Sequence, residues 1–365
     1  MQQYIYNLAT DKYSGPVAAV IKAFLFVFSL VYGSIIRTLI FFYRIRPCRL
    51  DCKVISVGNI TLGGTGKTTL VESIALFLKQ QGHKTAILSR GYKRKITSYE
   101  LPACRQAGEF TSYEEMGDEP FMLSRKMGDI PVIVDADRIR AAKQAIKDYS
   151  VNTVILDDGF QQWRIKKDLE IVSIDATNPF GNRQMIPRGI LREPISSLRR
   201  ADIFVLTKTN LSKDVEAIRN YLSRINPNAL IAESIHKPLG FYNLCRPDEQ
   251  SDICSLEGKV VTLFSGIGDP DSFEKIIKIL GARIGLSFRF RDHHHYTRED
   301  LDKIFKSSRE KKIDTIITTE KDAARLASFL PQAPCPLPVL VLCIGLVFTK
   351  EEEKFCDRLL KLYSL

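Results

Sequence analysis

Residues Val54 to Leu70 read VISVGNITLGGTGKTTL, and this run carries more potential chemistry than any other in the chain. Four β-favouring residues lead into a glycine cluster, then Lys67 and Thr68, then the helix-forming run TTLVESIALFLKQQ. A strand, a glycine-rich turn and a helix N-terminus make an anion cradle, because backbone N–H groups converge on a phosphate and the helix dipole favours negative charge. Thr61, Gly63, Gly64, Thr65, Gly66, Lys67, Thr68 and Thr69 are the expected cradle residues. Lys67 would meet the β/γ-phosphates and Thr68 would hold Mg²⁺. Strict GxxxxGK[ST] spacing puts Thr61 where the first glycine belongs, so this loop is a variant of that pattern. A glycine turn that merely packs a helix on a sheet is the bland alternative. The coincidence of lysine, threonine and three glycines at a strand-to-helix junction argues against it.

Downstream, Val154–Gln161 reads VILDDGFQ, a buried-strand pattern that delivers Asp157 and Asp158 at its C-terminal end. Ligands of open α/β sheets bind at that edge, and carboxylates there can hold Mg²⁺ directly or through water. Asp118 in GDEP, taken alone, reads as a helix N-cap, as does Asp137. The run Asp292-His293-His294-His295-Tyr296 holds three of the five histidines. Consecutive side chains on an extended segment point opposite ways, and no HExxH or Cys spacing supports zinc. A histidine partnering a carboxylate for proton transfer is the better reading. Thr319-Glu320-Lys321-Asp322 ends a further strand and suits a helix cap.

The elements that must position these residues alternate. Apolar β-rich runs occur at 54–57, 85–88, 131–134, 153–156, 171–174 and 203–206, with helical segments such as 68–80 and 137–149 between them. Continuous apolar strands separated by helices predict a parallel sheet covered on both faces. A later series at 230–235, 260–264, 286–290, 315–318 and 339–343 predicts a second, smaller α/β domain. The expected organisation is an N-terminal region 1–46, a nucleotide-binding domain 47–212 and a C-terminal domain 213–365. Residues 175–200 form a long irregular stretch with five arginines. Loops of that length in compact domains are functional or disordered, and Arg183, Arg188 and Arg192 suit an anionic ligand.

A formal net charge of +11 over 365 residues points to an acidic partner. No nucleic-acid readout motif is present, so a phosphorylated substrate or an anionic membrane surface is the expectation. Eight scattered cysteines contain no CxxC pair and predict neither zinc nor a disulfide framework, in keeping with a reducing compartment. Near the N-terminus, fourteen uncharged residues lie between Lys22 and Arg37, shorter than the roughly twenty a membrane span needs. Lys22, Ser29, Gly33, Arg37 and Arg44 make a polar stripe on an otherwise apolar helix. That pattern predicts a helix lying in the bilayer interface, its stripe near anionic headgroups.

Taken together, VGNITLGGTGKT, SRGY (Ser89–Tyr92), GDEP, ADR (Ala136–Arg138), ILDDGFQ, ILREP, DHHHY and TEKD, behind an amphipathic N-terminus, resemble the tetraacyldisaccharide 4′-kinases. These are the membrane-associated lipid A kinases of Gram-negative envelopes. The motifs come in the family's order and extend from about residue 15 to 325. The family's loop has the same GNxTxGGTGKT form, which accounts for Thr61. Where its motif places glutamine and then histidine or another residue after DDGF, Gln161 and Gln162 stand here.

The resemblance implies a P-loop NTPase-like fold and ATP-dependent phosphorylation of the 4′-hydroxyl of a tetraacylated glucosamine disaccharide 1-phosphate. It implies Asp118 as the base, with His293 chosen over His294 to orient it, and Asp158 beside the transferring phosphoryl group. Thr68, Asp157, Asp158 and Glu193 would surround Mg²⁺, and Arg90, Arg138, Arg188 and Arg192 would contact the acceptor. The expected location is the cytoplasmic face of the inner membrane, peripheral, with no obligate protein partner. The rival is a membrane-associated P-loop ATPase switch of the partition or metal-insertion type. Its signature lysine would stand at position 62, where this chain has Leu62.

Overall fold

A computed structural model describes residues 8–11, 13–91, 116–326 and 336–364. Tyr92, Cys104 and Cys335 lie outside the described residues. The chain forms two compact units that interleave in sequence. The first comprises Met1–Lys67, Ile146–Ile235 and Phe348–Leu365, and the second Thr68–Ala145 and His236–Val347.

The first unit is built on parallel strands. Lys53–Gly58 lies between Thr153–Asp157 and Leu169–Asp175, and the sheet continues through Ile203–Thr207 to the strand beginning at Leu230. TVILD and IFVLT are buried at every position, as strands covered on both faces must be. Phe160, Val172, Phe204, Leu206 and Leu222 form part of one apolar cluster in this unit. Two glycines allow the sheet edge to close up beside the site. A Cβ on Gly58 would stand 2.5 Å from the Phe160 backbone nitrogen, and one on Gly159 would stand 2.6 Å from Ser56 Oγ. Between them, the Gly159 N–H donates to the Val57 carbonyl at 2.9 Å, which ties the DDGF turn to the end of the first strand.

The N-terminal helix runs Pro16–Ile45, 30 residues, with Pro16 in its first turn and Arg44 in its last. It is long and apolar enough to cross a membrane by length and composition. Phe24, Phe41 and Phe42 are each more than three-fifths exposed. The expected polar stripe is only partly a headgroup face. Ser29 and Gly33 are buried, because their small side chains let the helix close on the 183–193 loop. Ser29 Oγ donates to the Met185 carbonyl at 2.8 Å and accepts from the Arg188 N–H at 3.0 Å. Lys22 pairs with Asp11 at 2.6 Å.

In the second unit, Arg283–Arg289, Val260–Ser265, Thr315–Thr319 and Val339–Lys350 pair in that order, all parallel. The 230–243 strand also pairs antiparallel with Arg246–Ser251, a strand that the sequence reading did not include. The helix Lys67–Gln80 follows the glycine loop, Asp118–Met127 carries the GDEP motif, and Glu320–Leu326 carries TEKD. Phe264, Tyr296, Ile304 and Ile316 pack in a cluster beneath the DHHHY run. Five described cysteines are free thiols, and Cys245 is disulfide-bonded.

Candidate active site

The glycine loop is open where a phosphate cradle needs to be open. Gly63 has φ 115° and Gly66 φ 77°, conformations that glycine reaches without strain. A Cβ on Gly63 or Gly64 would meet nothing within 4 Å, so this backbone faces free space. Thr65, by contrast, is buried. Its carbonyl accepts from Ser173 and from Thr207 Oγ1 at 3.0 Å, and its hydroxyl lies 3.1 Å from Asn59 Nδ2. The loop is thus anchored from behind and exposed in front.

The arginine-rich stretch expected to be functional is ordered against this loop. Leu62 N–H donates to the Ile190 carbonyl at 2.8 Å, and Arg192 N–H donates to the Ile60 carbonyl at 2.7 Å. That short pairing places Arg192 over Asp158. Its Nη1 and Nη2 each lie 2.8 Å from one Asp158 oxygen, a bidentate clamp, and Nη2 also donates to Asn59 Oδ1. Lys67 Nζ stands 3.4 Å from Asp158 Oδ1. Asp158 has φ 54°, a left-handed turn that aspartate tolerates better than most residues. Burial opposes its ionisation, but the Lys67 and Arg192 charges outweigh that and hold its pKa far below the carboxylate range. Asp158 is therefore a permanent anion that aims two cations.

Arg183 stacks over the Tyr221 ring, and Arg188 Nη2 pairs with Asp11 at 2.9 Å. Arg138 is 2% exposed and donates to the Asp135 carbonyl, so its guanidinium serves the local turn. Arg90 is exposed after the Thr85–Ser89 strand. Of the four arginines expected at the acceptor, Arg192 alone is brought onto Asp158.

Glu193 is fully buried, and both oxygens accept. Gln161 Nε2 and Trp163 Nε1 each donate to Oε1 at 3.1 Å, and Arg200 Nη1 donates to Oε2 at 2.8 Å. Arg200 also stacks over Phe160 at 4.1 Å. This carboxylate holds the loop in place next to Arg192, and its oxygens are committed to protein donors. Removing it leaves Arg200 short of its closest carboxylate, so Glu193→Ala is expected to lower nucleotide-free stability by about 3 kcal/mol. Urea denaturation measures this; an unchanged midpoint would show that Glu193 does not anchor the fold. Asn59, Gln161, Trp163 and Arg200 were missed from sequence, because each acts by a side-chain geometry that no local spacing announces.

In the second unit, Asp118 opens its helix without capping it; Gly117 occupies the cap and makes no side-chain bond. The Asp118 carboxylate turns instead to His293 and Arg325. His293 Nδ1 lies 2.7 Å from Oδ2, and Arg325 Nε donates to the same oxygen at 2.6 Å. The DHHHY run thus offers His293 to Asp118, while His294 Nε2 pairs with Asp300 at 2.9 Å. Arg325 is 1% exposed and also bonds Asp322 at 2.9 Å and the Gly266 carbonyl at 2.7 Å. Asp322, in the first turn of the TEKD helix, accepts from Tyr296 at 2.9 Å and from the Gly266 N–H at 3.0 Å. Sequence reading missed Arg325, although its spacing of three from Asp322 on one helix face was a usable signal.

Burial would raise the Asp118 pKa, but the His293 hydrogen bond and the Arg325 charge outweigh it and bring the pKa to about 2. A carboxylate depressed below its unfolded value stabilises the fold above that unfolded value, near 3.8, and the contribution is lost as pH falls towards 2. It amounts to about 2 kcal/mol. Denaturant titrations at pH 6 and pH 3 should therefore show a smaller acid loss for Asp118→Asn than for the unaltered chain; equal losses would contradict this pairing.

A cradle open to a polyphosphate, a lysine held by a clamped aspartate and a separate Asp–His–Arg cluster are the parts a phosphotransferase needs. A family model described as tetraacyldisaccharide-1-P 4′-kinase matches residues 21–364. The chain belongs to that family. Tetraacyldisaccharide 4′-kinase of Halothermothrix orenii is 36% identical over 345 residues, covering 90% of this chain and 88% of that protein. The Syntrophus aciditrophicus protein of the same name is 38% identical over 329 residues, covering 87% of each. Among solved structures, LpxK from Aquifex aeolicus in complex with ATP is similar at TM-score 0.73 and 27% identity, over 94% of this chain and all of that one. Membership makes the chain a kinase of this class, with the mixed α/β fold and large parallel sheet component that the motifs predicted.

Proposed function

We propose that this kinase transfers the γ-phosphate of ATP to the 4′-hydroxyl of a tetraacylated glucosamine disaccharide 1-phosphate. The open glycine loop with Lys67 held beside Asp158 carries the reading. Lys67, with the amides from Gly63 to Thr69, receives the triphosphate, and Arg192 adds a second cation directed by the same aspartate.

The residues present suit Mg²⁺. Asp157 is buried at the C-terminal end of its strand, and Thr68 follows Lys67 at the helix start. An ion here would be held largely by nucleotide oxygens and one or two carboxylates. Thr68, Asp157 and Asp158 would hold it, with Glu193 supporting the adjacent loop, and the ion would neutralise charge on the phosphates. Asp118 Oδ2 is engaged by His293 and Arg325, so Oδ1 is the oxygen suited to take the hydroxyl proton. The new O–P bond forms as the β–γ bond breaks, and ADP leaves. Arg90 and Arg192 suit the acceptor's anionic groups, with Arg138 and Arg188 in supporting roles. In this division of labour, the N-terminal helix meets the membrane, the first unit carries Lys67 and Asp158, and the second carries Asp118 and His293, in place of contiguous domains 47–212 and 213–365.

The test is acceptor dependence. Purified protein should consume ATP only when the lipid disaccharide is present; rapid hydrolysis without it, stimulated by a protein partner, would favour the ATPase switch instead.

The same reading puts the enzyme peripherally on the cytoplasmic face of the inner membrane, held by the exposed face of the N-terminal helix. Phe24→Asp combined with Phe42→Asp should release the protein into the soluble fraction. Each buried phenylalanine contributes about 2 kcal/mol at an interface, so binding to vesicles should fall a hundredfold or more. Unchanged sedimentation with vesicles would rule this face out as the anchor.

A further inference from the structure

We propose that a basic groove between the C-terminal half of the N-terminal helix and residues 194–200 binds the headgroup of an anionic phospholipid of the bilayer. The inference rests on the membrane reading above and names a site within it. Two adjoining cavities, of about 600 and 570 Å³, share Arg44, Arg199 and Arg200 as walls. Arg37, Ile40, Phe41, Ile45 and Pro194 complete the first, and Arg49, Trp163 and Lys166 help line the second.

The state of these cations is the telling observation. Elsewhere in this unit arginines are paired: Arg188 with Asp11, Arg192 with Asp158, Arg219 with Glu233. Arg37, Arg44, Arg49, Lys166 and Arg199 are exposed, and among the described residues none of their side chains makes an ion pair. The two carboxylates at the rim, Glu170 and Asp202, are outnumbered by the cations, so the groove stays net positive. Glu170 is taken by Lys167 and Arg200, and Asp202 accepts the Glu170 N–H at 2.8 Å. Five like charges converging on one groove repel each other unless an anion joins them, and guanidinium forks match phosphate oxygens.

The apolar floor fixes the kind of anion. Phe41 and Ile45 are 67% and 58% exposed and continue the bare face of the helix, so acyl chains can lie along it below a phosphate. Neither Lys67, Asp158 nor Arg192 lines either cavity. The groove is thus separate from the reacting end of the acceptor and suits a resident bilayer lipid.

The full-length protein is sedimented with vesicles of phosphatidylcholine alone and of phosphatidylcholine containing phosphatidylglycerol. Arg44→Ala and Arg199→Ala should each weaken binding to the anionic vesicles about fivefold. Arg46→Ala removes an exposed cation that lines neither cavity and should change it by less than about twofold. Equal losses for all three would overturn the groove in favour of diffuse attraction. The KM for the acceptor in nonionic micelles free of phospholipid should stay unchanged in the groove variants; a rise there would assign the groove to the acceptor's own phosphate and overturn the proposal. If the unaltered protein binds both vesicles equally, the groove fails alone. Should it bind neither, the membrane reading fails and takes the groove with it.

Discussion

Lys67→Ala is expected to lower turnover by about a thousandfold or more while leaving the fold intact. The lysine is the cation that the loop presents beside its open amides, and it stands 3.4 Å from an aspartate that is anionic at every working pH. Removing it deletes positive charge where the transferred phosphoryl group gathers negative charge. It also leaves Asp158 with Arg192 as its remaining partner, so the clamp itself persists. The variant should therefore unfold within about 1 kcal/mol of the unaltered chain, since the pair is partly solvent-screened. Steady-state rates with saturating acceptor, beside a denaturation curve, make the check. Normal rates in a folded variant would remove the phosphate-loop assignment.

Asp118→Asn is expected to cut kcat by about 10²- to 10⁴-fold, with the KM for ATP changed by no more than about threefold. Asparagine keeps the size of the side chain and can still accept from Arg325, but it cannot take a proton. The split matters because a helix cap or a nucleotide contact would move different constants. A cap would lower stability and leave kcat per folded molecule alone; a nucleotide contact would raise KM. His293→Ala should show a smaller loss of the same sign, since His293 Nδ1 orients and stabilises the carboxylate at 2.7 Å. If Asp118→Asn shows only weaker ATP binding, the residue is not the proton acceptor.

Most of the fold was legible because buried parallel strands announce themselves. VIS, TVIL and IFVL are continuous apolar runs bounded by turn residues, and each is a strand of the first unit. Short-range chemistry was equally readable: a glycine loop, a lysine and a threonine at a strand-to-helix junction need no tertiary knowledge. What sequence concealed were contacts made across long separations. Arg192 to Asp158 spans 34 positions and Arg325 to Asp118 spans 207, so neither pairing has a local signature. The stripe on the N-terminal helix was half misread for a related reason. A helical wheel reports polarity, but Ser29 and Gly33 are polar or small because the 183–193 loop packs there, whereas Arg37 and Arg44 face a groove. Glu193 shows the same limit. Its motif position suggested a metal ligand, and its four donor contacts are those of a buried anchor.

Incubation of the purified chain with ATP labelled in the γ-phosphate and a tetraacylated disaccharide 1-phosphate, followed by extraction of the lipid, tests the central claim most directly. The account predicts label in the lipid fraction, located by nuclear magnetic resonance on the 4′ oxygen, and none when Lys67 is alanine. Label released solely as inorganic phosphate, or a lipid left unmodified while ATP is consumed, would contradict it.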